Sequence, residues 1–261
     1  MTTDSRGIVL YRGPSVLTGA PIVAIATGLQ AARRHSRQGV NAKTGAVVQV
    51  YILAGGRNPV AAHASGRDAA VCGDCPHRAG SCYVRLDRGP LQVWRAYQRG
   101  RYRQPSLQTA RAALAGLPVR LGAYGDPAAV PLPVWETALG QAGSHTGYTH
   151  QWRTCEPGLR RWCMASCDSQ AEAGQAQAAG WRTFTVVPKG ATVPGQLALL
   201  CPASEEGGRK LHCVDCRACD GTAGGRHSQV WIPVHGAAHR QAAYNRLVQI
   251  DRRQVGHVAL V

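Results

Sequence analysis

The sequence predicts an α/β fold: an incomplete (β/α) barrel of about six or seven mostly parallel strands, with a cysteine-rich metal loop near the C-terminus. Three observations predict it. Strand, turn and helix patterns alternate from Ala46 to about Gly180, the order that builds a parallel sheet. Seven candidate strands, with some connecting helices missing, fit an incomplete barrel better than a flat doubly wound sheet. The chemically distinctive residues fall just after those strands, at the end where parallel α/β architectures bind ligands. No linker composition interrupts the chain. The expected organisation is an irregular N-terminal segment, residues 1–45, packed on one barrel-like domain, residues 46–261, with the metal loop at 201–219. An apolar fraction of 44% is enough for a core.

Breaks at Gly13-Pro14 and Gly19–Pro21 make the first 45 residues irregular, apart from a short strand at Ile22–Ile25. Gln30–Gln38, with Arg33, Arg34 and Arg37, is a short basic helix or an arm. Asn41–Gly45 is turn chemistry, and Ala46–Leu53, β-branched and almost continuously apolar, is the first buried strand. After the cysteine loop Val71–Val84, Pro90–Gly100 places Leu91, Trp94 and Tyr97 on one helical face. Pro118–Tyr124 is the second strand, and Val134–Ala142 is a helix begun by Pro133. Gly147–Trp152 and Trp162–Ser166 are the third and fourth strands. Gln170–Ala179 is a helix with Ser169 as N-cap and Gly180 as its stop. Trp181–Val187, Leu197–Leu200 and Val230–Val234 are the fifth to seventh strands, and Pro233 assigns the seventh to an edge. Gly221–Arg226 is a flexible surface loop, and Ala238–Ile250 closes the chain as a helix.

The formal net charge is +16, nearly all of it arginine, since the lysines are Lys43, Lys189 and Lys210 alone. Guanidinium forks grip phosphate oxygens, so the charge implies a nucleic-acid partner or, equally, an arginine-rich solvated surface. No run of about 18 apolar residues exists, so no transmembrane helix is expected. The N-terminal residues lack a secretory pattern, which places the chain in the cytosol. There, ten cysteines read as ligands or thiols before they read as disulfides.

Two cysteine groups carry the chemistry. Cys72, Cys75 and Cys82 lie in one loop, and three thiolates hold a metal or an iron–sulfur cluster with one position left open. The bland alternative is a closed zinc loop, completed by His77 or a distant cysteine. Cys213, Cys216 and Cys219 repeat the first three positions of a ferredoxin-type run, and Cys201 is the natural fourth ligand. Four protein ligands make that centre closed, hence structural or electron-carrying. Cys155 and Cys163 read as plain thiols. Among other strand-end residues, Asp126 is a turn residue or binds a ligand's amino group, and His150 is a core histidine or a working one. Cys167 and Asp168 end the fourth strand as a thiol and a helix N-terminal partner, or as a boundary. Asp126, His150 and Asp168 are the candidate catalytic residues. No Gly-x-Ser-x-Gly elbow occurs.

Nearly the whole chain resembles a family of cysteine-rich bacteriophage and prophage proteins. The matching stretches are GPSVLTGAPIVAIATG, NAKTG with VQVYIL, CGDCPHRAGSCYV, GYTHQW, MASCDS, GWRTF, CPASEEGG and CVDCRACDG. That resemblance implies no particular activity. A looser one is carried by the three-cysteine loop after the first strand, its last cysteine beside Tyr83, and by Gly125-Asp126-Pro127 after the second. These features are similar to the radical S-adenosylmethionine superfamily. The likeness implies a [4Fe–4S] cluster on Cys72, Cys75 and Cys82, whose open iron binds S-adenosylmethionine. It further implies that Tyr83, Gly125 and Asp126 line the cofactor site, and that a second cluster near the C-terminus fits such an enzyme. The family's usual spacing is Cys-x3-Cys-x2-Cys, whereas this chain has Cys-x2-Cys-x6-Cys.

Two functions follow as expectations. The first is a radical S-adenosylmethionine-type enzyme acting on a nucleic acid or nucleotide, supplied with electrons by a reductant protein. The second is a non-catalytic zinc protein that binds DNA or RNA, its two cysteine groups acting as staples. An electron-transfer protein without a substrate of its own uses the closed centre but leaves the open one idle.

Overall fold

The computed structural model describes residues 7–36, 41–191, 198–208, 211–223 and 229–258, with backbone alone beyond Val248. Among these residues, ten strands form two five-stranded sheets. The first sheet runs in the order β1 (Gly7–Pro14), β2 (Pro21–Thr27), β3 (Val48–Ala54), β4 (Pro118–Tyr124) and β5 (Ser144–Thr146). Its β1–β2 and β2–β3 pairs are antiparallel, and β3–β4 and β4–β5 are parallel. The second sheet contains β6 (Tyr148–Thr149), β7 (Met164–Cys167), β8 (Thr183–Val187), β9 (Ala198–Leu200) and β10 (Gln229–Pro233). Its order is β6-β7-β8-β10-β9, and every pair is parallel.

The seven expected strands all have counterparts, the third in β6 alone, whereas β5, before Gly147, was not expected; Leu197 lies outside the described residues. The α/β class therefore stands, as two sheets joined through one residue. The N-terminal expectation needs correction. Ile8, Val9 and Leu10 are buried in β1, which forms a hairpin with β2 and extends the first sheet. The Gly and Pro breaks read as irregularity end β1 at Pro14, start β2 at Pro21 and flank the turn between them. The edge assignment of the last strand also fails. β10 is sandwiched between β8 and β9, but its register with β9 ends at Trp231, so Pro233 lies beyond the ladder its missing N–H would have served. The three-residue β9 takes the edge.

The helices are α1 (Leu29–Arg33), α2 (Pro59–Ala64), α3 (Ala69–Cys72), α4 (Gly89–Gln98), α5 (Leu107–Leu114), α6 (Leu132–Leu139), α7 (Gln170–Ala178), α8 (Cys213–Cys216) and α9 (Ala238–Val258). Local chemistry sets their starts. Asn58 Oδ1 accepts from Ala61 N at 2.9 Å, Ser106 Oγ from Thr109 N at 3.2 Å, and Ser169 Oγ from Glu172 N at 3.1 Å. The buried face of α4 is offset by one residue from the expected one: Pro90 and Val93 are buried, with Trp94 and Tyr97 packed beside them. α1 is shorter than the expected Gln30–Gln38, and Arg33 donates to the Ala113 carbonyl at 3.0 Å. Arg37 and Gln38 lie outside the described residues, as do Gly224, Gly225 and Arg226 of the expected surface loop.

The main core joins the first sheet to α5, α6 and α7, centred on Trp135, Leu121 and Ile52. A smaller cluster of Met164, Val230, Ile232, Cys201 and Cys219 lies over the second sheet. α9 docks through Tyr244 and Val248. Among the described residues no helix is long and apolar enough to cross a membrane.

Candidate functional site

Side chains alternate across a strand, so every second residue of a strand points to one face. Arg120, Gly122 and Tyr124 of β4, Phe184 and Val186 of β8, and Val230 and Ile232 of β10 share one face in this way. Together they line a cavity of about 350 Å³ that reaches to the carboxyl ends of the strands. Cys72, Cys75 and Cys82 border it, and so do Cys201, Cys213, Cys216 and Cys219. Two cysteine groups more than a hundred residues apart therefore open on one chamber. All ten cysteines are unpaired.

The first group is held by long-range ties. Gln151 Nε2 donates to the Cys72 carbonyl at 3.3 Å, Asp126 N to the Val71 carbonyl at 2.6 Å, and Arg240 of α9 to the Cys82 carbonyl at 2.6 Å. Within the loop, Arg78 spans the Gly73 carbonyl and the Asp68 carboxylate. Burial pushes all three thiols up, and Cys82 raises both Cys72 and Cys75 further; Cys75 reaches about 12. The second group is assembled from four directions. Cys201 N donates to the Trp231 carbonyl at 2.8 Å, which fixes it beside β10. Cys213 N and Val214 N donate to the Lys43 and Thr44 carbonyls, so the Asn41–Gly45 turn seats α8. The Arg182 guanidinium binds the Ala218 and Gly221 carbonyls and the Asp220 carboxylate, clamping the stretch around Cys219. Gly147 N donates to the Cys219 carbonyl at 3.3 Å. Burial raises the Cys219 thiol, against the hydrogen bond from Tyr148.

Arg120 lies between the groups. Its guanidinium donates to the Tyr83 hydroxyl at 2.6 Å. Desolvation works against its charge, but Tyr83, Tyr148 and Cys213 outweigh that and hold it firmly protonated. Tyr83 itself is 51% exposed at the cavity mouth.

A third group sits beside the first. His77 Nε2 lies 3.0 and 2.9 Å from the two Asp168 oxygens, and its Nδ1 lies 2.7 Å from Ser81 Oγ. His150 Nε2 is 4.0 Å from Asp168 Oδ2 and is buried without a hydrogen-bond partner. The ligand atoms of His77, His150 and Asp168 all lie within 4.8 Å of one another; among the described residues no trio of cysteine sulfurs is that close. Burial would raise the Asp168 carboxyl, yet His77 and His150 bring it below its usual value. Desolvation lowers His150 to about 4.

Each candidate from the sequence can now be placed. Gly125 and Asp126 end β4 on the cavity wall. A side chain at Gly125, where φ is +83°, would strike Ile52 of β3. Asp126 accepts from Ala128 N and His150 N, both at 2.9 Å, so its oxygens serve the main chain. His77 turns to Ser81 and Asp168, away from the fourth-ligand role that a closed zinc loop would give it. Cys163 and Cys167 are buried and Cys155 is half-buried. Sequence reasoning missed Arg120 and Tyr244. The alternation Arg120, Gly122, Tyr124 along one strand was the signal for the first. Comparisons with protein-family models, with curated proteins and with solved structures return no match for this chain.

Proposed function

We propose that this chain is an iron–sulfur enzyme of the radical S-adenosylmethionine type, acting on a nucleotide or nucleic acid in a reducing cytosol. The observation that carries the reading is the shared cavity: the three-cysteine loop and the four-cysteine group face one chamber at the strand ends. A structural metal gains nothing from facing a cavity, whereas a catalytic one needs a position open toward substrate. The proposal treats the two sheets as one incomplete barrel wall, continuous through Gly147.

The donor set fits a cluster. A tetrahedral zinc–thiolate site brings its sulfurs to about 3.8 Å of one another, since each bond is ~2.3 Å. Among the described residues no three cysteine sulfurs lie within 4.8 Å of one another. A cluster distributes its thiolates over several irons and accommodates the spread. Burial holds these three sulfurs as neutral thiols, and as thiolates they would need a cationic partner. Cys72, Cys75 and Cys82 would hold the first cluster, with one iron left for S-adenosylmethionine. When bound and reduced, that cluster would supply the electron for reductive cleavage of S-adenosylmethionine. The chain's own residues prepare the chamber. The bare backbone at Gly125 makes the close β4–β3 approach beside the loop possible. The apolar side chains of β8 and β10 exclude water, and Arg120 supplies a fixed positive charge for an anionic group. Cys201, Cys213, Cys216 and Cys219 would hold a closed, electron-carrying cluster. The charge of +16 draws in a phosphate-bearing substrate.

The test is metal and sulfide content of protein purified without oxygen, followed by assay for 5′-deoxyadenosine under a strong reductant. Brown protein, acid-labile sulfide, a broad band near ~400 nm and cofactor cleavage are expected. Cys72→Ala, Cys75→Ala or Cys82→Ala should each remove one cluster and leave the other. Colourless protein with about two zinc ions per chain, and no cleavage, would replace this reading with that of a zinc protein binding nucleic acid through its charge.

A further inference from the structure

We propose that His77, His150 and Asp168 form a further metal site in the same chamber, a mononuclear site for a divalent first-row transition ion. The inference goes beyond the cluster reading and does not rest on it.

The three ligands come from separate elements that the fold brings together. His77 is in the turn of 3₁₀-helix within the cysteine loop, His150 follows β6, and Asp168 follows β7. With bonds of about 2.1 Å, neighbouring ligands stand roughly 3.0 Å apart in octahedral geometry and roughly 3.4 Å apart in tetrahedral geometry. His77 Nε2 and Asp168 are already 2.9 Å apart, and His150 Nε2 is 4.0 Å from the same oxygen. All three ligand atoms lie within 4.8 Å of one another.

A proton shared between His77 and Asp168 would explain their contact, but it leaves His150 unexplained. That nitrogen is buried without a hydrogen-bond partner, 4.0 Å from a carboxylate oxygen. Leaving a polar atom so placed is costly. A single cation satisfies all three groups at once. The surroundings also have the form of a metal ligand's outer contacts. Ser81 engages His77 Nδ1, which aims Nε2 inward, and the Tyr244 ring stacks on His77 at 5.8 Å. Two imidazoles and a carboxylate suit Fe²⁺, Co²⁺ or Zn²⁺ rather than the all-oxygen ions Mg²⁺ and Ca²⁺. Three protein ligands leave positions open. His77 and His150 both border the cavity, so those positions take water or an oxygen of the cavity's ligand.

Cobalt titration of the full-length protein distinguishes this site from the cysteines. Thiolate-bound Co²⁺ absorbs intensely in the near ultraviolet, whereas nitrogen- and oxygen-bound Co²⁺ shows only weak visible bands. One equivalent of the second kind is expected, together with a rise in melting temperature on adding cobalt. His150→Gln and Asp168→Asn should each abolish that equivalent and leave metal at the cysteines unchanged. Ser81→Ala, which keeps every ligand, should weaken it by roughly 10–100-fold, and it decides the question should the ligand variants fail to fold. Absence of the equivalent from wild-type protein, or undiminished binding in Ser81→Ala and His150→Gln, would overturn the site. A cluster without S-adenosylmethionine cleavage would count against the proposed activity and leave this result standing.

Discussion

Asp126 is buried at the end of β4, and its two oxygens do different work. Oδ1 accepts from Ala128 N two residues on, an Asx turn that starts the following 3₁₀ turn; Oδ2 accepts from His150 N and ties β4 to the end of β6. The turn was legible in Gly-Asp-Pro. The tie was not, because its partner is 24 residues away. Burial raises the Asp126 carboxyl to about 6, against the pull of these hydrogen bonds. The folded protein thus holds a proton here more tightly than the unfolded chain, whose carboxyl titrates near ~3.9. Stability therefore falls as pH rises from about 4 to about 6, by up to about 3 kcal/mol from this one group, and the loss is complete above that window. Asp126→Asn should lose that slope, and its amide, now facing the His150 N–H, should cost about 1–3 kcal/mol at neutral pH. Urea unfolding of both proteins between pH 4 and 7 measures the difference; parallel curves would refute it.

Elements were legible wherever local chemistry decides them. β4 has its expected bounds, and Ser169 caps α7 as expected. β1 was hidden because Ile8–Leu10 is a short apolar run followed by turn residues, a pattern that becomes a strand only when β2 lies beside it. The junction of β5 and β6 depends on Gly147. A β-carbon there would lie 2.7 Å from Cys163 Sγ and 3.1 Å from the Trp162 carbonyl. Gly147→Ala should cost about 1–3 kcal/mol through overpacking, read as a shift in the urea midpoint. Removing the sulfur in Gly147→Ala/Cys163→Ala should make the two costs less than additive. Strict additivity would mean that the clash is not the cause.

Over the whole molecule, Arg120 spans the gap between the two cysteine groups: it donates to Tyr83 beside Cys82, and its charge acts on Cys213. A buried cation near a cluster favours the added electron. Arg120→Met should therefore lower the reduction potential of the proposed second cluster and leave iron content near that of wild type, as measured by redox titration with electron paramagnetic resonance. An unchanged potential would remove Arg120 from any role between the centres. The seven expected strands and the two cysteine groups were determined by the sequence alone, because burial pattern, turn residues and cysteine spacing act within a few residues. That both groups share one cavity, that Asn41–Gly45 seats α8, that Arg182 clamps the Cys219 stretch and that His77 meets Asp168 91 residues away were decided by the tertiary structure. Each of these depends on which strand ends meet in space, and strand order across a sheet is set by packing between distant segments that local pattern does not encode.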